Sequence, residues 1–149
     1  MSRHMLGRPM EVLLVEDGLL DARLTIGALK NSGLHHRLTL LRDGQEALEF
    51  LRRADRFARA PRPDLILLDL LLPKKNGFDV LAEIRLDDAL RDIPVVILTA
   101  ADDEEFPARA EQYAVEQFIK KPVNFDKFLE AVKKLRRHWH RDLILPSLD

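Results

Sequence analysis

The sequence predicts an α/β domain built on a five-stranded parallel sheet. Three observations carry that reading. Five short apolar runs recur along the 149 residues, and several contain no polar residue, as strands covered on both faces do. Amphipathic stretches of helical length separate them. Residues able to do chemistry (Glu16, Asp17, Asp69, Thr99 and Lys121) gather where the runs end.

The elements follow in order. Val12-Leu13-Leu14-Val15 reads as the first strand, and residues 18–32 as a helix closed by Asn31-Ser32-Gly33, where glycine can adopt the left-handed conformation. Leu38-Thr39-Leu40-Leu41 is the second strand. Asp43 is a good N-cap for a second helix over 44–54. Residues 52–63 then form a long connection with five arginines, read as a solvated loop rather than a contact for an acidic partner. Leu65-Ile66-Leu67-Leu68 is the third strand and 77–86 the third helix. Val95-Val96-Ile97-Leu98 is the fourth strand and 102–114 the fourth helix. The brief Gln117-Phe118-Ile119 completes the sheet. A last helix over 125–140 carries a stripe of Phe125, Phe128, Leu129, Val132 and Leu135.

Composition narrows the function classes. One domain of ordinary globular balance is expected, with 46% hydrophobic and 33% charged residues. A net charge of −1 gives no chain-wide attraction to nucleic acid. The absence of cysteine excludes disulfides, thiolate metal sites and a cysteine nucleophile. With no apolar leader and no stretch long enough to cross a bilayer, a soluble cytoplasmic protein is expected.

Ligands of open parallel sheets bind at the carboxyl ends of the strands. There the sequence places Glu16-Asp17, Asp69, Thr99 and Lys121-Pro122 on four different strands. Taken singly, Asp17 could cap a helix, Thr99 could begin a turn and Lys121 could be a solvated lysine. Together they fit one chemistry. Carboxylates held close repel, and a divalent cation relieves the repulsion. Oxygen-only ligands favour Mg²⁺. Asp69, already anionic, could attack phosphorus without a general base, with Lys121 and Thr99 engaging the phosphoryl oxygens.

At these residues the chain resembles the response-regulator receiver domains of two-component systems, over residues 10–137. The motifs are Val12-Leu13-Leu14-Val15-Glu16-Asp17, Asp69 within Leu-Leu-Asp-Leu-Leu-Leu-Pro, Asn76-Gly77, Thr99-Ala100 and Phe118-Ile119-Lys120-Lys121-Pro122. The resemblance implies a flavodoxin-like, doubly wound (βα)5 fold with strand order 2-1-3-4-5. It implies Asp69 as phosphoacceptor, with Mg²⁺ held by Asp17, Asp69 and the carbonyl of Leu71, and Glu16 acting through a metal-bound water. Thr99 and Lys121 would contact the phosphoryl group, Lys121 rather than Lys120 because it precedes Pro122, whose preceding peptide is cis in the family. Thr99 and Phe118 would form the switch. The basic loop, Leu-Pro-Lys-Lys-Asn-Gly, Asp102-Asp103-Glu104-Glu105 and the ending with Trp139 are similar to single-domain regulators partnered with phytochrome-type histidine kinases.

Some positions depart from the pattern: Gly18 where small polar residues are common, Leu71 where asparagine is frequent, Ala114-Val115 for Gly-Ala, and phenylalanine rather than tyrosine at 118. The receiver is expected over 10–140, followed by an apolar tail, 141–149, too short for an output domain. Output is therefore expected through protein contact. On the first helix, Leu24, Ala28 and Leu29 are expected to face the sheet, leaving Leu19, Ala22 and Ile26 to dock a sensor histidine kinase. Trp139, Leu143, Ile144, Leu145 and Leu148 are expected to pack on a second copy as a homodimer, with folding back on the same chain as the alternative. His138 and His140 read as helix-end residues rather than metal ligands. Two other functions compete: a pseudo-receiver that binds without phosphorylation, and a Mg²⁺-dependent phosphohydrolase. The second is disfavoured by an apolar Leu71 where that chemistry uses a general acid.

Overall fold

Strand boundaries and register follow from the apolar runs. The computed structural model describes residues 8–99, 115 and 117–139. Strands β1 (Met10–Val15), β2 (His36–Leu41), β3 (Leu65–Asp69), β4 (Val95–Thr99) and β5 (Gln117–Lys120) form one parallel sheet in the order β2-β1-β3-β4-β5. Among the described residues four helices flank it: α1 (Leu19–Asn31), α2 (Gly44–Leu51), α3 (Gly77–Leu86) and α4 (Phe125–Leu135). This is the flavodoxin-like doubly wound fold. The helix expected over 102–114, His140 and the tail 141–149 lie outside the described residues. No described helix is long and apolar enough to cross a membrane.

Alternation along each strand splits the core in two. Leu13, Val15, Ile66, Leu68 and Ile97 face α2 and α3. Met10, Val12, Leu14, Leu67 and Leu98 face α1 and α4, where Phe128 and Leu135 are buried. The side chains of Asp43, Asn76 and Asn124 cap α2, α3 and α4 by accepting from Glu46, Asp79 and Lys127 backbone N–H groups. Gly18 offers α1 no such bond.

Two segments differ from expectation. Helix α2 stops at Leu51 rather than 54, because Arg53 and Asp55 take positive φ (55° and 49°) and lead into a 3-10 turn at Asp55–Phe57. The arginine-rich connection is also tied to its own chain rather than freely solvated. Arg52 pairs with Glu83 and Asp87 at 3.3 and 3.6 Å, and Arg53 donates to the Ala60 carbonyl. Arg56 pairs with Glu46 and lies over the Phe57 ring, which itself packs edge-on against Phe50. Arg62 donates to the Ala89 carbonyl.

Helix α1 presents a different face from the one expected. Ala22, Thr25, Ala28 and Leu29 are buried, a stripe at three- and four-residue spacing. Leu19, Leu20 and Leu24 are exposed, and Ile26 is partly covered by the core. Leu24 and Ala22 thus exchange the roles assigned from sequence, because Ala22 shares the helical phase of the buried Leu29 and Leu24 is turned away from it. Phe125 likewise leaves its stripe, is 46% exposed, and shares a shallow cleft with Leu24 and Val123.

The chain end is also corrected. Helix α4 gives way at Arg136–His138 to a 3-10 turn, and Trp139 packs on the α1/α4 core of its own chain. Its indole Nε1 donates to the Asp64 carbonyl at 2.6 Å. Asp64 also takes a bidentate pair from Arg8 at 2.7 and 2.9 Å and the Glu11 N–H. One residue at the head of β3 therefore ties both ends of the described chain.

Candidate functional site

Parallel register assembles the site. Val15 is level with Leu68, Asp69 with Leu98 and Thr99 with Lys120. Glu16, Asp69, Thr99 and Lys121 consequently reach one carboxyl edge from four adjacent strands, β1, β3, β4 and β5. Glu16, Asp69 and Thr99 are buried there. The Lys121–Pro122 peptide is cis, and the Lys121 N–H donates to the Thr99 carbonyl at 2.7 Å.

The ammonium of Lys121 stands at the centre. Its Nζ lies 2.7 Å from Glu16 Oε1, 3.2 Å from Asp69 Oδ1 and 3.2 Å from Asp21 Oδ2. The Asp21 contact has hydrogen-bond geometry. The shorter Glu16 contact does not, and Oε1 stays buried without a hydrogen-bond donor. Burial pushes the Glu16 carboxyl above its usual pKa; Lys121 opposes that shift and Asp69 reinforces it. For Lys121 burial acts to lower the pKa, but Glu16, Asp69 and Asp21 outweigh it and hold the ammonium above the ordinary lysine value.

The structure does not bring every expected residue into contact. Asp17 is exposed at the rim, and its backbone carbonyl accepts from Arg42 Nη2 at 2.8 Å. Leu71 is 79% exposed and Phe118, on β5, 56% exposed. Among the described residues no three acidic or histidine side chains are gathered as a metal cluster. The residues nevertheless suit a hard cation. The donors are all oxygen, three carboxylates face one ammonium, and a buried Glu16 oxygen lacks a donor. Asp21 was not singled out from sequence. The available signal was its place in the first turn of α1, where a side chain leans back toward the helix N-terminus and so over the β1–α1 loop.

Glycine lets the loop after Asp69 close tightly. The Gly77 N–H donates to the Leu70 carbonyl at 2.8 Å, and a Cβ at Gly77 would stand 2.4 Å from the Asp69 carbonyl oxygen. At Gly44 a Cβ would stand 2.1 Å from the Lys75 carbonyl oxygen, so α2 abuts the same loop. Lys74, at φ 67°, pairs with Asp43, and Lys75 with Glu83.

The family model of the response regulator receiver domain matches residues 12–133. The chain belongs to the response-regulator receiver family. The receiver is 40% identical to the response regulator Rcp1 of Synechocystis sp. over 93% of this chain and 95% of that protein. A structure of Rcp1 described as its Mn²⁺-bound form superposes with a TM-score of 0.75, covering 93% of this chain and 100% of that one. The phosphorylated cyanobacterial phytochrome response regulator RcpA is 42% identical, with a TM-score of 0.75 over 93% of this chain and 99% of that one. The bacteriophytochrome response regulator RtBRR is 37% identical, with a TM-score of 0.81 over 95% of this chain and 84% of its own. These relatives are signalling proteins rather than enzymes, and the receiver is related to the phytochrome response regulators among them.

The Gly77 contact makes a prediction. Gly77→Ala drives a methyl into the Asp69 carbonyl and should destabilise the domain by about 3 kcal/mol in urea unfolding, near the upper end for overpacking. An unchanged midpoint shows that the loop relaxes freely.

Proposed function

We propose that this receiver takes a phosphoryl group onto Asp69 from a sensor histidine kinase and answers by reshaping a protein-contact surface. The observation that carries this reading is the buried Asp69 carboxylate at the end of β3, 3.2 Å from the Lys121 ammonium. In the transfer an Asp69 oxygen bonds to phosphorus, the P–N bond of the donor phosphohistidine breaks, and its electron pair leaves with the imidazole, which is protonated from water. Lys121 compensates charge on one phosphoryl oxygen and the Thr99 hydroxyl donates to another. Glu16, Asp17, Asp69 and the Leu71 carbonyl would hold a divalent cation, taken as Mg²⁺, which screens the phosphoryl charge when bound. The Mn²⁺-bound form of Rcp1 and the phosphorylated form of RcpA support both parts.

Output follows from a two-state equilibrium that phosphate biases. Thr99 moves toward the new oxygen and Phe118, with no hydroxyl, turns inward and changes packing alone. The phytochrome response regulators among the relatives favour a phytochrome-type kinase as input. Exposed Leu19, Leu20 and Leu24 of α1, with Phe125 beside them, are the surface on which that kinase docks. The apolar tail residues Leu143, Ile144, Leu145 and Leu148 pair two copies as a homodimer.

Three measurements test these statements. Incubation with acetyl phosphate and Mg²⁺ should add one phosphoryl mass to the intact protein, and Asp69→Asn should abolish it. No added mass favours the pseudo-receiver, and continuous phosphate release favours a phosphohydrolase. Leu24→Arg should slow transfer from the cognate kinase about tenfold while leaving acetyl phosphate uptake intact, the scale of a lost interface anchor. Equal kinase rates remove α1 as the docking face. Finally, a chain ending at Arg141 should scatter light as a monomer, and a persisting dimer refutes the tail interface.

A further inference from the structure

Three carboxylates, Glu16, Asp21 and Asp69, lie within 3.2 Å of the Lys121 ammonium, and the Asp21 contact has the hydrogen-bond geometry that the Glu16 contact lacks. A phosphoryl oxygen that takes a Lys121 N–H therefore competes with them. The three are not equally free to let go. Glu16 is buried, so water cannot replace the ammonium it would lose. Asp69 loses its carboxylate charge on phosphorylation, but the charged phosphoryl group it then carries keeps the ammonium beside it. The Asp21 side chain is 39% exposed, and its carboxylate can return to water at the least cost. It is also carried on a different element, α1, next to the exposed Leu20.

We infer that Asp21 is the exchange partner of Lys121: it holds the ammonium before phosphorylation and releases it to the phosphoryl group. The inference rests on Asp69 being the phosphoacceptor. Asp21 touches no reacting atom in this scheme and acts through Lys121, as a positioning residue. Its carboxylate has two effects on an incoming dianionic donor. It occupies one Lys121 N–H, and it adds negative charge at the mouth of the site. Both slow uptake. Once Lys121 has moved, the Asp21 charge on α1 is no longer neutralised, so the face that carries Leu20 and Leu24 differs electrostatically between the two states. Phosphorylation at the sheet edge is thereby reported on the first helix without any backbone movement.

The test uses the whole chain and acetyl phosphate, with uptake followed by intact mass in Mg²⁺ buffer. Asp21→Asn should accelerate uptake by about three- to tenfold at low salt, the scale expected for removing one charge a few ångströms away near the surface. The acceleration should shrink as ionic strength rises through about 0.5 M, which a purely structural change would not do. Asp21→Glu, which keeps the charge, should return most of the rate toward the native value. Uptake by Asp21→Asn equal to or slower than native, or an acceleration indifferent to salt, overturns the exchange role. A native chain that takes up no phosphoryl group overturns the receiver reading, and this inference with it.

Discussion

The site is organised by one ammonium group held among carboxylates at the carboxyl edge of a parallel sheet. Buried acids contributed by different strands would repel each other, and a buried charge with no counter-ion is strongly destabilising. Lys121 resolves that conflict for Glu16 and Asp69 at 2.7 and 3.2 Å. It does so from β5, the strand at the far side of β4 from Asp69, so the contact requires the sheet to be complete. The geometry of the site and the closing of the sheet are thus one constraint.

Around that centre the supporting structure is mostly backbone. The loop after Asp69 is held by the close approach of Gly77 beneath it and of Gly44 from α2, where side chains would collide. Arg42, from the end of β2, fixes the β1–α1 loop by bonding the Asp17 carbonyl. At the opposite edge Asp64 collects Arg8, the Glu11 N–H and the Trp139 indole. The carboxyl edge is thus charged, with a buried Glu16 Oε1 that lacks a hydrogen-bond donor, while at the far edge Asp64 is bonded from three directions. Such an asymmetry concentrates the capacity for change where the phosphoryl group would arrive.

Much of this was legible in the chain. Apolar runs with no polar residue could only be strands covered on both faces, and the residues ending them had to share an edge. That Asp69, Thr99 and Lys121 share one edge followed from position alone. Side-chain reach was harder. Both phases of α1 carry apolar residues, and only the packed helix shows that the phase of Ala22 and Leu29 is buried while Leu24 is exposed. The arginines of 52–63 looked like a solvated run because their acceptors, Glu83, Asp87 and the Ala89 carbonyl, lie far along the sequence. Trp139 looked like a spare apolar surface for the same reason, its partner Asp64 being 75 residues away.

The sequence by itself determined the fold class, the strand order expected from the motifs, and the identity of the acids and the lysine at the sheet edge. Those depend on local composition and on the period-two and period-3.6 patterns that one chain displays. Only the tertiary structure decided that Asp17 lies at the rim, that Lys121 spans Glu16 and Asp69, and that Asp21 of α1 pairs with the same ammonium. An ion pair across a hundred residues leaves no periodic trace, because it depends on where helix α1 settles on the sheet and not on any spacing along the chain.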